Sequence, residues 1–117
     1  MIVEFFWLLV AHSLADYPLQ GDYLAAAKRK NSGLPTPWWI ALTAHSLIQA
    51  GFVAGLTGSM ALGMAEFFCH WSIDYAKCEG WLTPDWPFEW RMAAERRAFT
   101  IDQALHIGCK ALWVVLT

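Results

Sequence analysis

The stretch Phe67-Phe-Cys-His-Trp-Ser-Ile-Asp-Tyr-Ala-Lys77 sets His70 and Asp74 one helical turn apart, with Glu66 a turn before and Lys77 almost a turn after. On a helix these four side chains share a face, so a polar stripe runs down an otherwise apolar segment. Three further apolar segments repeat the chemistry: one carries His12 and Asp16 at the same spacing, one carries His45, and one carries Asp102 and His106 in reverse order. Each histidine stands in its own hydrophobic segment. Imidazole and carboxylate groups together bind divalent metals and move protons. Ser13, Ser46 and Ser72 lie one or two residues from a histidine. Neighbours that close do not face each other on a helix, so a serine nucleophile is not indicated.

The elements that must hold these residues are membrane helices. Over 117 residues, 57% hydrophobic with only 15% charged is too apolar for a soluble domain of this size. Eight tryptophans, among them Trp38, Trp39, Trp81, Trp86 and Trp90 near segment ends, suit a membrane–water interface. The net charge of -2 comes with no basic, aromatic-studded face, so nucleic acid is not an expected partner. Cys69, Cys78 and Cys109 are odd in number and form no Cys-x-x-Cys pair, so they read as packing residues rather than a disulfide framework. The first ten residues lack a basic leader and run on into His12 and Asp16, the pattern of a retained membrane helix rather than a signal peptide.

The expected fold is all-α: a four-helix transmembrane bundle, one integral membrane domain over residues 1–117, with spans at about 2–17, 38–56, 60–77 and 100–116. Two short interfacial helices complete it on the cytoplasmic side. The first covers Gln20 to Lys30, beyond the kink or stop at Pro18, with Lys28, Arg29 and Lys30 at the lipid head groups. The second opens at Pro87 and carries Glu89, Arg91, Glu95, Arg96 and Arg97 beside Trp86, Trp90 and Phe99. Thr57-Gly58-Ser59 makes a tight turn whose Ser59 caps the third span. Gly51-x-x-x-Gly55 allows close helix approach, and a homo-oligomer is compatible with the chain. Basic residues fall in the first and third connections, which places those in the cytoplasm, both termini outside, and the multi-pass chain in the inner (cytoplasmic) membrane.

Depth then ties the four segments together. At about 1.5 Å of rise per residue, His70 lies roughly 10 Å from Lys77, His45 roughly 10 Å from Trp38, His106 roughly 9 Å from Thr100 and His12 roughly 8 Å from Tyr17. All four histidines fall at one level. Because helix direction alternates, Asp16, Asp74 and Asp102 can share the cytoplasmic side of that level only if the His-to-Asp order flips in the last segment, and it does.

A single buried histidine is ordinarily a hydrogen-bonded core residue. Four at one depth, three with a carboxylate a turn away, point instead to a site. His12, Asp16, His45, His70, Asp74, Asp102 and His106 make seven candidate ligands for one or two divalent ions, with zinc first on the imidazole share and manganese or iron suiting the oxygens. Metal-activated water would be the nucleophile, with Glu66 or an aspartate as base and Lys77 neutralising a phosphate or oxyanion. Glu66 also fits a neutral structural role, and Lys77 a snorkelling anchor. Gln20, Gln49 and Gln103 lie close to the stripes as supporting donors. The reading is a metal-dependent hydrolase acting on a lipid or lipid-linked substrate at the cytoplasmic leaflet, with membrane lipids as its surroundings. The alternatives are a metal or proton conductor, for which the outer half offers only Glu4, Glu66 and Lys110, and a phage membrane effector with a structural polar core.

The runs His12-Ser-Leu-Ala-Asp16-Tyr-Pro-Leu-Gln20, Thr43-Ala-His45, His70-Trp-Ser-Ile-Asp74-Tyr-Ala-Lys77 and Asp102-Gln103-Ala-Leu-His106 resemble, in that order, the pattern of a family of small bacterial and phage membrane proteins known as domain of unknown function 3307. The pattern is also distantly similar to predicted inner-membrane metal-dependent hydrolases. The resemblance spans nearly the whole chain and implies the fold and the site, but no reaction.

Overall fold

A computed structural model of the chain describes residues 1–81 and 88–117, and the side chains of all of these except 88–96. Among the described residues the secondary structure is wholly helical: α1 (Ile2–Asp16), α2 (Gly21–Ala27), α3 (Trp38–Thr57), α4 (Met60–Cys78) and α5 (Phe88–Leu116). The all-α expectation stands. Trp86 and Pro87, and the side chains of Glu89, Trp90, Arg91, Glu95 and Arg96, which the sequence assigns to an interfacial helix, lie outside what is described.

Pro18 ends α1. It disfavours helical backbone at Tyr17, whose φ and ψ are -109° and -80°, and α2 departs at 82° to α1. Fifteen residues rise only about 22 Å, short of the roughly 30 Å hydrocarbon core. By length and composition, α3 and the Arg97–Leu116 part of α5 can each cross a membrane, and α1 with α2 would make a third crossing if the bent pair is one broken span. Two such helices mark a membrane protein. α4 is as long as a span but carries Glu66, Asp74 and Lys77.

Between α3 and α4 the expected turn is present. Gly58 takes φ 69°, which closes α3, and the Leu62 amide donates to Ser59 Oγ at 3.2 Å, which starts α4. The close contact between the two helices comes from Gly63 and not from the Gly51/Gly55 pair. A Cβ on Gly63 would stand 2.7 Å from the Ala54 Cβ and 3.0 Å from the Ala50 carbonyl oxygen, whereas Cβ atoms on Gly51 and Gly55 would meet nothing within 4 Å. α5 also differs from expectation. The backbone from Phe88 continues into the last segment as one helix, because Met92, Ala93, Ala94, Glu95, Arg96, Arg97 and Ala98 are good helix formers with no Gly or Pro among them.

The molecule is inside-out relative to a soluble bundle. α4 buries Gly63, Glu66, His70 and Asp74 and exposes Met60, Met64 and Phe68. α1 exposes Phe6, Trp7 and Leu14, and α5 exposes Ile101, Leu105, Leu112 and Val115. Such continuous apolar exposure is unfavourable in water and costs nothing in lipid. The apolar core is correspondingly small: Leu8, Val53, Trp113 and Val114, with Phe5, Leu62, Ala65, Cys69 and Cys109 packed around them.

The opposite end, where α3 begins and α4 finishes, is rich in aromatics. Trp71 stacks on Tyr75 with ring centroids 5.2 Å apart, Trp38 lies 5.8 Å from Tyr75, and the Lys30 ammonium sits 4.9 Å from the Trp38 ring. Its hydrogen bond to Glu79, seconded by Tyr75, raises the Lys30 pKa above the ordinary lysine value. Amphipathic rings and a cation together suit an interface.

Candidate metal centre

Four helices each bring one histidine to the middle of the bundle. The His70 and His106 rings stack at 4.0 Å, His45 lies 4.9 Å from His70, and His12 lies 5.2 Å from His106 and 5.9 Å from His70. All four are buried, as are Asp74, Asp102 and Glu66, while Asp16 and Lys77 are partly exposed. The four imidazoles thus meet in one cluster.

Within the cluster, ligand atoms converge on two triads. Asp16, His45 and His70 form one and His70, Asp74 and His106 the other, the atoms of each lying within 4.8 Å of one another. His45 Nε2 is 3.0 Å from His70 Nε2 and 3.2 Å from Asp16 Oδ1. Zinc–nitrogen and zinc–oxygen bonds of about 2.0–2.2 Å in a tetrahedron put neighbouring ligand atoms roughly 3.3–3.6 Å apart, so this spacing needs little adjustment to hold an ion. Both triads use His70, whose Nδ1 is 3.2 Å from Glu66 Oε1. A proton on Nδ1 donating to that carboxylate leaves Nε2 as the ligand nitrogen, the arrangement in which an outer carboxylate fixes a metal-binding imidazole.

Lysine distinguishes the triads. In the second, Asp74 Oδ2 already accepts from Lys28 Nζ at 2.8 Å and Asp74 Oδ1 lies 3.2 Å from His106 Nε2. In the first, Asp16 is supported by neutral donors, Gln49 at 2.8 Å and Gln103 at 3.1 Å. An ammonium on a ligand oxygen competes with a metal for it, and an amide does not. The residues of the lysine-free triad therefore fit a divalent ion better.

His12 and Asp102 join neither triad. His12 is flanked by Gln49 and Gln103 oxygens, each at 3.3 Å, and Asp102 accepts from Lys77 at 3.2 Å and lies 3.3 Å from His106. Sequence reasoning anticipates the two glutamines but misplaces Lys28, which is expected at the head groups and is turned inward onto Asp74; Lys110 lies on the expected side of the histidines, buried against Glu66, a pairing the sequence reading does not make. The signal for Lys110 is present in the chain: Asp102, His106 and Lys110 repeat at four residues, an antiparallel counterpart of the Glu66, His70, Asp74 stripe. Nothing in the run Lys28-Arg29-Lys30 singles out its first member.

Among the described residues the cluster is open on the aspartate side. A cleft of about 390 Å³ reaches it at the α1–α2 bend, where Asp16, Gln20, Lys28, Asp74, Lys77 and Gln103 are among the lining residues. Toward the other end Glu66 accepts from Lys110 and from Trp113 Nε1, and beyond that lies the apolar plug of Leu8, Val53, Trp113 and Val114.

A family model described as a protein of unknown function (DUF3307) matches residues 4–116. The chain belongs to the DUF3307 family. All seven candidate ligands fall inside the match, as do Glu66 and Lys77. Searches of curated proteins and of solved structures give no significant match, so the likeness to membrane hydrolases has no counterpart among them.

Proposed function

We propose that this DUF3307 protein is a metal-dependent hydrolase of the inner membrane, working on a lipid or lipid-linked substrate that reaches the site from the cytoplasmic leaflet. In this reading α1, α3, α4 and α5 are four spans with both termini outside, α2 lies at the cytoplasmic interface, and Asp16, His45 and His70 hold one divalent ion, zinc by donor type. The observation that carries it is the access to the cluster among the described residues: a polar cleft on the aspartate side and an apolar plug behind Glu66.

Charge argues for one ion rather than two. Asp16, Glu66, Asp74 and Asp102 stand against Lys28, Lys77 and Lys110, so four carboxylates face three ammoniums in the cluster. The cluster is therefore at most one negative charge in excess, and a second divalent ion would add two further uncompensated positive charges, a heavy cost in a low-dielectric setting. The ion would supply Lewis acidity toward water and substrate. An aspartate lining the cleft would accept the proton of an attacking water, and Lys77 would neutralise charge developing on the substrate. Glu66, held by His70, Lys110 and Trp113 away from the cleft, is better suited to orienting His70 than to acting as the base.

A conductor would need polar groups continuing past Glu66, and the plug offers none among the described residues. Reconstitution into vesicles of bacterial inner-membrane lipid tests the choice. The hydrolase reading expects a lipid product whose formation stops with chelator and resumes with zinc; ion flux without product would establish the conductor instead.

A further inference from the structure

We infer that the cleft receives an anionic phosphodiester, so that the substrate of the proposed hydrolase is a phospholipid-type ester rather than a neutral acyl ester. The inference rests on the metal reading above and adds the charge of the ligand to it.

Two cleft-lining lysines carry the argument. Lys28 is 4% exposed, and its ammonium donates to Asp74 Oδ2 alone among the described contacts. Lys77, partly buried, donates to Asp102 Oδ2 alone on the same terms. An ammonium has three donors, so each lysine has donors left over at the wall of one cavity. Desolvated donors without acceptors are costly, and the acceptor that suits two ammoniums is an anionic oxygen.

The sign of the ligand charge comes from the same residues. With a divalent ion held beside Lys28 and Lys77 the wall of the cleft favours an anion, and a neutral ester would leave the spare ammonium donors without an anionic acceptor. Asp22 also lines the cleft but is exposed at its mouth, where water screens it. A volume of about 390 Å³ accommodates a head group while leaving acyl chains outside among the exposed apolar side chains. The reaction balances without a further reactant: the water oxygen bonds to phosphorus, the P–O bond to the leaving alcohol breaks, one water proton passes to that alcohol, and the other stays on the phosphomonoester. The sum of charges is unchanged by the step.

The test is linkage between anion and metal in the full chain. The detergent-purified protein is titrated with zinc against a chromophoric chelator, alone and with dihexanoyl-phosphatidylglycerol, dihexanoylglycerol or glycerophosphoglycerol, each with a protein-free control. Bound anion and bound metal strengthen each other reciprocally, so zinc affinity should rise about tenfold with the phospholipid. Dihexanoylglycerol, which lacks the phosphate, should change nothing. A rise with glycerophosphoglycerol equal to that with the phospholipid assigns the site to a free phosphodiester, and a rise with the phospholipid alone assigns it to a lipid head group. The Lys28→Gln, Lys77→Gln variant should bind zinc and lose the rise. Zinc bound at one equivalent with an affinity that no phosphodiester moves would overturn the anion inference and spare the metal. No zinc bound at all would overturn both.

Discussion

His70 has a carboxylate one turn to either side, and the two have opposite surroundings. On the sealed side Glu66 is closed in by His70, Lys110 and Trp113 and backed by Leu8, Val53 and Val114. On the open side Asp74 meets Lys28 and His106 at the wall of a cleft. The same i,i+4 chemistry on one helix thus serves two ends: a carboxylate held away from the cleft that fixes an imidazole, and one at the cleft wall that can change partners. Buried charge paired away from water is fixed in place, and becomes available for chemistry where a cleft lets its partners exchange.

If this contrast is right, the two lysines should not be equivalent. Lys110→Met strands the Glu66 charge with no route to water, and should cost about 3–5 kcal/mol of stability by denaturant titration in micelles. Replacing both partners, Glu66→Leu with Lys110→Met, should recover much of that loss, because both desolvation costs disappear together. Glu66→Gln should keep the fold yet loosen His70, with zinc affinity falling about 10–100-fold in the chelator competition. On the open side Lys28→Met should cost less, about 1–2 kcal/mol, since Asp74 keeps His106 and gains water from the cleft. The smallest effect belongs to Gln20→Ala: Gln20 donates to the Asp16 carbonyl at 3.1 Å but its own Oε1 has no partner, so stability should change by less than about 1 kcal/mol. Equal losses for Lys110→Met and Lys28→Met would erase the distinction between the two ends.

The contrast also separates what could be read from the chain and what could not. Convergence of His12, His45, His70 and His106 was legible because rise per residue and alternating helix direction leave little freedom in depth, and Asp102 and His106 supply the necessary reversal. The Ser59 cap and the Gly58 turn were legible from local chemistry. Lys28 was not, because its inward path depends on the 82° departure of α2, a tertiary angle that no periodicity in seven residues encodes. Neither was the choice of Gly63 over Gly51 and Gly55 as the contact glycine, since composition alone does not say which face of α3 meets α4. The division into two triads is beyond sequence for a similar reason: seven ligands at one depth can be grouped only when their azimuths are known.

The central claim is that the cluster holds a metal, and elemental analysis of the detergent-purified protein tests it most directly. Wild type should carry about one equivalent of zinc per chain, and the His70→Ala, Asp74→Ala variant should carry none. Wild type without stoichiometric metal, and no more stable than the variant, would contradict the account.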